Sequence, residues 1–128
     1  MRKTILILLT VASNAAMADW IPVGNNTSFT MYADPSSIRK EDKRVKMWAL
    51  TDFKTVNITT DAEEYRSMKV QSEYDCQEVQ SRLLEFSVYS ANMGEGKMIL
   101  SKAGIGKWKP VLPGSVIESF WNMACGEP

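Results

Sequence analysis

Ser67-Met68-Lys69-Val70-Gln71-Ser72-Glu73-Tyr74-Asp75-Cys76 carries the cleanest alternation in the chain. Successive side chains of a strand point to opposite faces, so Met68, Val70, Ser72, Tyr74 and Cys76 share one side and Lys69, Gln71, Glu73 and Asp75 the other. A half-buried strand is predicted here, with Cys76 in its inward set. Arg82 to Tyr89 repeats the pattern, with Leu84, Phe86 and Val88 inward. Met93-Gly94-Glu95-Gly96 then supplies a turn into a further strand over Lys97 to Ser101. Upstream, Val45, Met47 and Ala49 alternate with Trp48 and Leu50. Neither side of that run is wholly polar, which predicts a central strand covered on both faces.

The flanks are less regular. Phe29 to Tyr32 is a short β-prone run that Asp34-Pro35-Ser36-Ser37 is expected to end, because those residues favour turns. Asp19 to Val23 is too short to classify, an edge strand being one reading, and Gly24-Asn25-Asn26 after it is a turn signal. Arg39 to Arg44 reads as a solvated connection and Asn57 to Tyr65 as a loop. Gly104 to Gly114 holds three glycines and two prolines around Trp108, a loop pinned by one aromatic anchor.

One helix is clearly signalled. Ser115-Val116-Ile117-Glu118 is a capping box, and Pro113-Gly114 stops backward extension. Ile117, Phe120, Trp121 and Ala124 are predicted to share its buried face, with Glu118, Ser119 and Asn122 outside. The predicted architecture is therefore α+β: an antiparallel sheet of about five to six strands, with one C-terminal helix packed on a face.

The 128 residues and 45% hydrophobic content allow one core and one domain. The first eighteen residues read as a signal peptide, with Arg2 and Lys3 at the start, an apolar Ile5–Ala12 and the small-x-small site Ala16-Met17-Ala18. The apolar stretch is well short of the ~20 residues of a spanning helix. Cleavage after Ala18 is expected, leaving residues 19–128 as the mature domain, exported to the periplasm or beyond. No cysteine stands at the cleavage site to accept a lipid anchor.

Without Arg2 and Lys3 the mature part has 13 basic and 15 acidic side chains, a balance that argues against whole-surface binding to nucleic acid or an anionic membrane. Only Cys76 and Cys125 are present, both in the exported part, where a disulfide is favoured over two free buried thiols. Such a bond closes a loop of about 50 residues and contributes roughly 4 kcal/mol in the chain-entropy description. It would lock the helix to the sheet.

Histidine is absent, which removes Ser-His-Asp and Cys-His catalysis and imidazole metal sites. Two cysteines are too few for a structural zinc site. Glu73 and Asp75 are close enough to act as an acid/base pair, but a dyad needs a cleft to separate its pKa values, and a solvated strand face is the expectation. Gly94-x-Gly96 and Gly104-x-Gly106 are too short for phosphate loops and read as turns. Asn25, Asn26 and Asn57 open N-glycosylation patterns that read as polar loops. Of the four tryptophans, Trp48 and Trp121 are expected in the core, while Trp20 and Trp108 leave an aromatic ligand cleft open. No catalytic residue, cofactor or metal is assigned, and an enzyme is not expected.

Several blocks together resemble the surface-adhesin protein E family. They are Tyr32-Ala33-Asp34-Pro35-Ser36-Ser37-Ile38-Arg39, Val45-Lys46-Met47-Trp48-Ala49-Leu50, Glu73-Tyr74-Asp75-Cys76 with Arg82 and Leu84, Tyr89-Ser90, and Met93-Gly94-Glu95-Gly96. Trp108-Lys109-Pro110-Val111, Pro113-Gly114-Ser115, Trp121 and Cys125 complete the set. The resemblance implies an antiparallel sheet with a C-terminal helix tied to it by a disulfide, and an adhesin role, binding host matrix and serum proteins such as vitronectin and laminin. A soluble periplasmic accessory or inhibitor with a bacterial protein partner is the alternative. An exposed edge strand also offers a route to a homodimer.

The strongest charge contrast is Arg39, Lys40, Lys43, Arg44 and Lys46, five cations in eight positions with only Glu41 and Asp42 against them. These five are the candidate partner-binding residues, suited to a polyanion or an acidic protein surface, against the simpler expectation of a solvated turn.

Overall fold

The computed structural model describes residues 19–126. The expected signal peptide and its cleavage site lie outside these residues. Seven strands form one antiparallel sheet: β1 (Ile21–Asn25), β2 (Phe29–Glu41), β3 (Arg44–Ile58), β4 (Glu64–Asp75), β5 (Gln80–Tyr89), β6 (Met98–Ala103) and the two-residue β7 (Lys109–Pro110). The order is β1-β2-β3-β4-β5-β6, with β7 pairing β5 beyond the end of β6. From β1 to β6 each connection joins neighbours, so this part of the sheet is a meander that turns back at each hairpin. The helix α1 (Val116–Cys125) follows.

The strand Phe29 to Tyr32 is longer than its sequence suggests. β2 runs through Asp34-Pro35-Ser36-Ser37, but its register with β3 is interrupted between Asp34 and Arg39. Pro35 lacks an N–H, and it sits where neither neighbour needs one: pairing with β1 ends at Ala33. Side chains carry the strand across the gap. Asp34 Oδ1 accepts from the Ser36 amide at 3.0 Å and from its hydroxyl, and the Trp48 amide donates to Ser37 Oγ at 2.9 Å. The Asn57–Tyr65 loop is likewise shorter than expected, since β3 reaches Ile58 and β4 begins at Glu64.

The core lies between the sheet and α1. Ala33, Val45, Met47 and Tyr74 from β2, β3 and β4 meet Phe120 and Ala124, with Met31, Ala49, Val116, Trp121 and Met123 around them. Ile117 is not part of this face. It is 37% exposed, and Val116 packs inward instead, so the buried stripe runs through 116, 120 and 123/124. Ser115 caps the helix as predicted, its Oγ accepting from the Glu118 amide at 3.2 Å, while Glu118 Oε1 accepts from the Gly114 amide. Gly126 ends it in the left-handed region at φ 69°. The Cys76–Cys125 disulfide ties its last turn to the end of β4, and the Trp121 indole N–H donates to the Asp75 carbonyl at 3.0 Å beside it. No helix among the described residues is long and apolar enough to cross a membrane.

Candidate functional site

The register sorts the side chains of β3, β4 and β5 onto two faces. Val45 pairs Tyr74 and Met47 pairs Ser72 on the helix side; Lys46 pairs Glu73 and Trp48 pairs Gln71 on the opposite side. Among the described residues no helix lies over that second face. A 3-10 turn, Asn92–Gly94, folds back onto one end, where Ser67 Oγ donates to the Ala91 carbonyl and accepts from the Gly94 amide, and Asp52 Oδ1 accepts from the Met93 amide and the Asn92 side chain. Gly94 is required there: its φ is +72°, and an added Cβ would stand 2.5 Å from Lys69 Cε. The turn seals Leu50 and Ser67 at that end.

Two regions of this face gather chemistry. At the hairpin end, β2 and β3 turn through Asp42 and Lys43, with Asp42 in the left-handed region that Asp tolerates. The five candidate cations do not all lie on one face. Arg39 pairs Lys46 and Glu41 pairs Arg44 across the hairpin, which puts these side chains on the open face, whereas Lys40 pairs Val45 on the helix side. Lys40 Nζ lies 3.6 Å from the position of a Cβ on Gly126, beside the negative end of α1. The stretch read as a solvated connection is thus mostly strand, with a two-residue tip. A concavity of about 490 Å³ is lined by Glu41, Asp42, Lys43, Arg44, Lys46, Glu73 and Asp75, so cations and carboxylates alternate within it.

Glu73 is not solvated as expected for its strand face. It is 7% exposed and accepts from Arg82 Nε at 2.8 Å in an ion pair that Arg82 Nη2 reinforces. The Arg82 guanidinium in turn lies 4.3 Å from the Trp108 ring, and Arg44 lies 5.2 Å from the same ring. The loop Gly104–Gly114 is therefore anchored by Trp108 as predicted, and the aromatic face holds two cations. Asp75 is occupied differently: its Oδ1 accepts from the amides of Gln77 and Glu78, closing the β4–β5 turn. Neither carboxylate is arranged as a catalytic dyad, and no metal-ligating cluster of three His, Cys, Asp or Glu side chains occurs among the described residues.

The middle of the face holds the second region. Trp20, Asp34, Trp48, Lys69 and Tyr89 line a concavity of about 300 Å³. Trp48 is only half-buried, on the face opposite the helix rather than in the core, because the alternation that buries Met47 turns Trp48 away from it. Lys69 Nζ sits 4.9 Å from the Tyr89 ring. Sequence reasoning left Trp20 open and did not include Asp34, Lys69 or Tyr89. The same period of two that turns Val70 and Val88 to the helix side was the signal that put Lys69 and Tyr89 on one face.

The hydroxyl of Tyr74, on the helix side, is buried, which pushes its pKa from 10.0 up to about 12, with Ser72 as a smaller opposing influence. It is a structural group, part of the core.

The fold has solved counterparts. A crystal structure of protein E from non-typeable Haemophilus influenzae superposes with a TM-score of 0.68 at 15% identity, covering 86% of this chain and 77% of that one. Two further structures of Haemophilus influenzae protein E give TM-scores of 0.60 and 0.61, also at 15% identity, covering 82% of this chain and 89% and 92% of theirs. No curated protein matches the sequence. At this identity the likeness establishes the fold. Family membership rests on sequence: the model for surface-adhesin protein E matches residues 20–126, nearly every described residue. The chain belongs to the surface-adhesin protein E family.

Proposed function

We propose that this protein is exported, loses residues 1–18 by cleavage after Ala18, and acts without catalysis as a binding module. Its partner is an acidic protein surface or a polyanion, and the hairpin end of the open face is where it binds. One observation carries this reading. The sheet register brings Arg39, Lys43, Arg44 and Lys46 to the same end as Arg82 and Trp108, so a sequence-local charge run becomes a surface with an aromatic anchor. Family membership supports an adhesin-like role, with host matrix and serum proteins as the partner class.

The intervening carboxylates shape what can bind. Glu73 is neutralised by Arg82, and Glu41 and Asp42 flank the tip. The site therefore favours an anionic partner that threads between fixed cations over a uniformly charged sheet of phosphates. Attraction of this kind decays within a Debye length, roughly 10 Å at 0.1 M salt and 3 Å at 1 M.

The test is retention of the mature protein on immobilised heparin and on immobilised vitronectin across a salt gradient. Binding at low salt that is lost as salt rises supports the proposal; absence of salt-sensitive binding to both overturns it. Protease accessibility on intact cells separates the adhesin role from that of a periplasmic accessory, since only an adhesin is reached from outside.

A further inference from the structure

We infer that the concavity formed by Trp20, Asp34, Trp48, Lys69 and Tyr89 is a binding site for an uncharged pyranose ring, a sugar unit of a glycan. This site is distinct from the cationic hairpin end and does not depend on it.

Three features point to this ligand. First, the walls are aromatic and accessible. Trp48 projects from the centre of the sheet on the face no helix covers, and Trp20 enters from the segment before β1. Neither indole N–H makes a hydrogen bond among the described residues, in contrast to Trp121, whose N–H is satisfied by Asp75. Flat aromatic faces stack on the C–H face of a pyranose, whose rim presents hydroxyls. The volume, about 300 Å³, is at the small end of ligand sites and suits one ring rather than an extended cofactor.

Second, Asp34 is a positioned acceptor. It is 6% exposed, and its Oδ1 is fixed by the amide and hydroxyl of Ser36. Oδ2 has no hydrogen bond among the described residues, and the residue lines the concavity. No buried side-chain oxygen among the described residues lacks a partner, so Oδ2 is open to solvent at the concavity and free to accept from a sugar hydroxyl. The bulge between Asp34 and Arg39 is what holds this carboxylate in place.

Third, Lys69 balances Asp34. Its ammonium is held over the Tyr89 ring and makes no ion pair among the described residues, and it stands across the same concavity. One carboxylate and one ammonium leave no net charge, which disfavours a strongly anionic or cationic ligand. An apolar peptide side chain fits worse than a sugar, because it would cover both charges and pair neither. A pyranose gives a donor to Asp34 and an acceptor to Lys69 while stacking on the indoles. Sites that hydrogen-bond a ligand hydroxyl in this way discriminate strongly against analogues lacking it.

The experiment is a titration of the mature protein with methyl glycosides of galactose, glucose and mannose, followed by NMR of the four indole N–H signals. Saturable shifts of the Trp20 and Trp48 signals are expected for at least one glycoside, with Trp108 and Trp121 unmoved and the affinity unchanged between low and high salt. Trp48→Ala is expected to weaken binding at least tenfold, and Lys69→Met several-fold. Because Asp34→Asn risks the β2 bulge, Trp20→Ala serves as the second variant, with a similar loss. The inference is overturned if no glycoside produces a saturable shift, if the shifts fall on Trp108, or if only acidic peptides bind and do so salt-dependently. Salt independence here and salt sensitivity at the hairpin end keep the two sites separable.

Discussion

Replacing Cys76 and Cys125 together by alanine is expected to lower stability by about 4 kcal/mol. The two residues are 49 apart in sequence, and the bond between them removes loop-closure entropy from the unfolded chain. For a loop of about 50 residues that entropy is worth about 14 cal/mol/K, or about 4 kcal/mol at 25 °C. The native side loses little of its own, since Phe120 and Ala124 stay buried against β2 and β3 and Trp121 keeps its bond to Asp75. Urea unfolding followed by tryptophan fluorescence measures the change; with a slope of about 1–3 kcal/mol/M, the midpoint falls by roughly 1–4 M. Helical signal should persist in the native baseline. A midpoint shift below about 0.5 M would refute the reasoning, because the helix would then be held by packing alone.

Other outcomes follow from single contacts. Arg82→Ala strips the partner from a buried carboxylate and is expected to cost about 2–3 kcal/mol in urea unfolding, most of it regained when Glu73→Gln is added. The raised pKa of Tyr74 means that its contribution is fully present below pH 10 and is lost as pH rises from about 10 to about 12; this amounts to about 3 kcal/mol and should disappear in Tyr74→Phe, read as the difference between the two proteins' pH–stability profiles. Intact-mass measurement of protein recovered from the cell envelope is expected to show a chain beginning at Asp19, and a species retaining Met1 contradicts export with cleavage.

The strand meander, the capped helix and the disulfide were legible because each rests on a local rule: alternation, a capping box, and two cysteines in a chain that reads as exported. What was missed came from non-local register. Leu84 repeats with Phe86 and Val88 in sequence, but a shift between Gln71 and Ser72 skips it and puts Leu83 opposite Ser72. Asp34-Pro35-Ser36-Ser37 looks like a turn, and only side-chain bonds from Asp34 and Ser37 make it a bulged strand. Glu73 reads as solvated until Arg82, nine residues on, returns beside it. The basic run marks the hairpin end that the proposal uses, but charge counting ignores the period of two that sends Lys40 to the helix side. The aromatic concavity draws on five segments of chain, and no spacing within any one of them announces it.

The most direct test of the proposed binding surface compares two variants of the mature protein on immobilised heparin and vitronectin. Arg39→Glu and Lys46→Glu on the open face, combined with Lys43→Glu at the hairpin tip, reverse three cations of the proposed surface, whereas Lys40→Glu reverses a cation beside the C-terminus of α1. The account predicts that the triple variant loses salt-sensitive retention while its urea midpoint stays near the parent's. Lys40→Glu should bind as the parent does and lose about 0.5 kcal/mol of stability. Retention of the triple variant equal to the parent's, or loss of binding in Lys40→Glu alone, would contradict the assignment of the partner surface to the open face of the sheet.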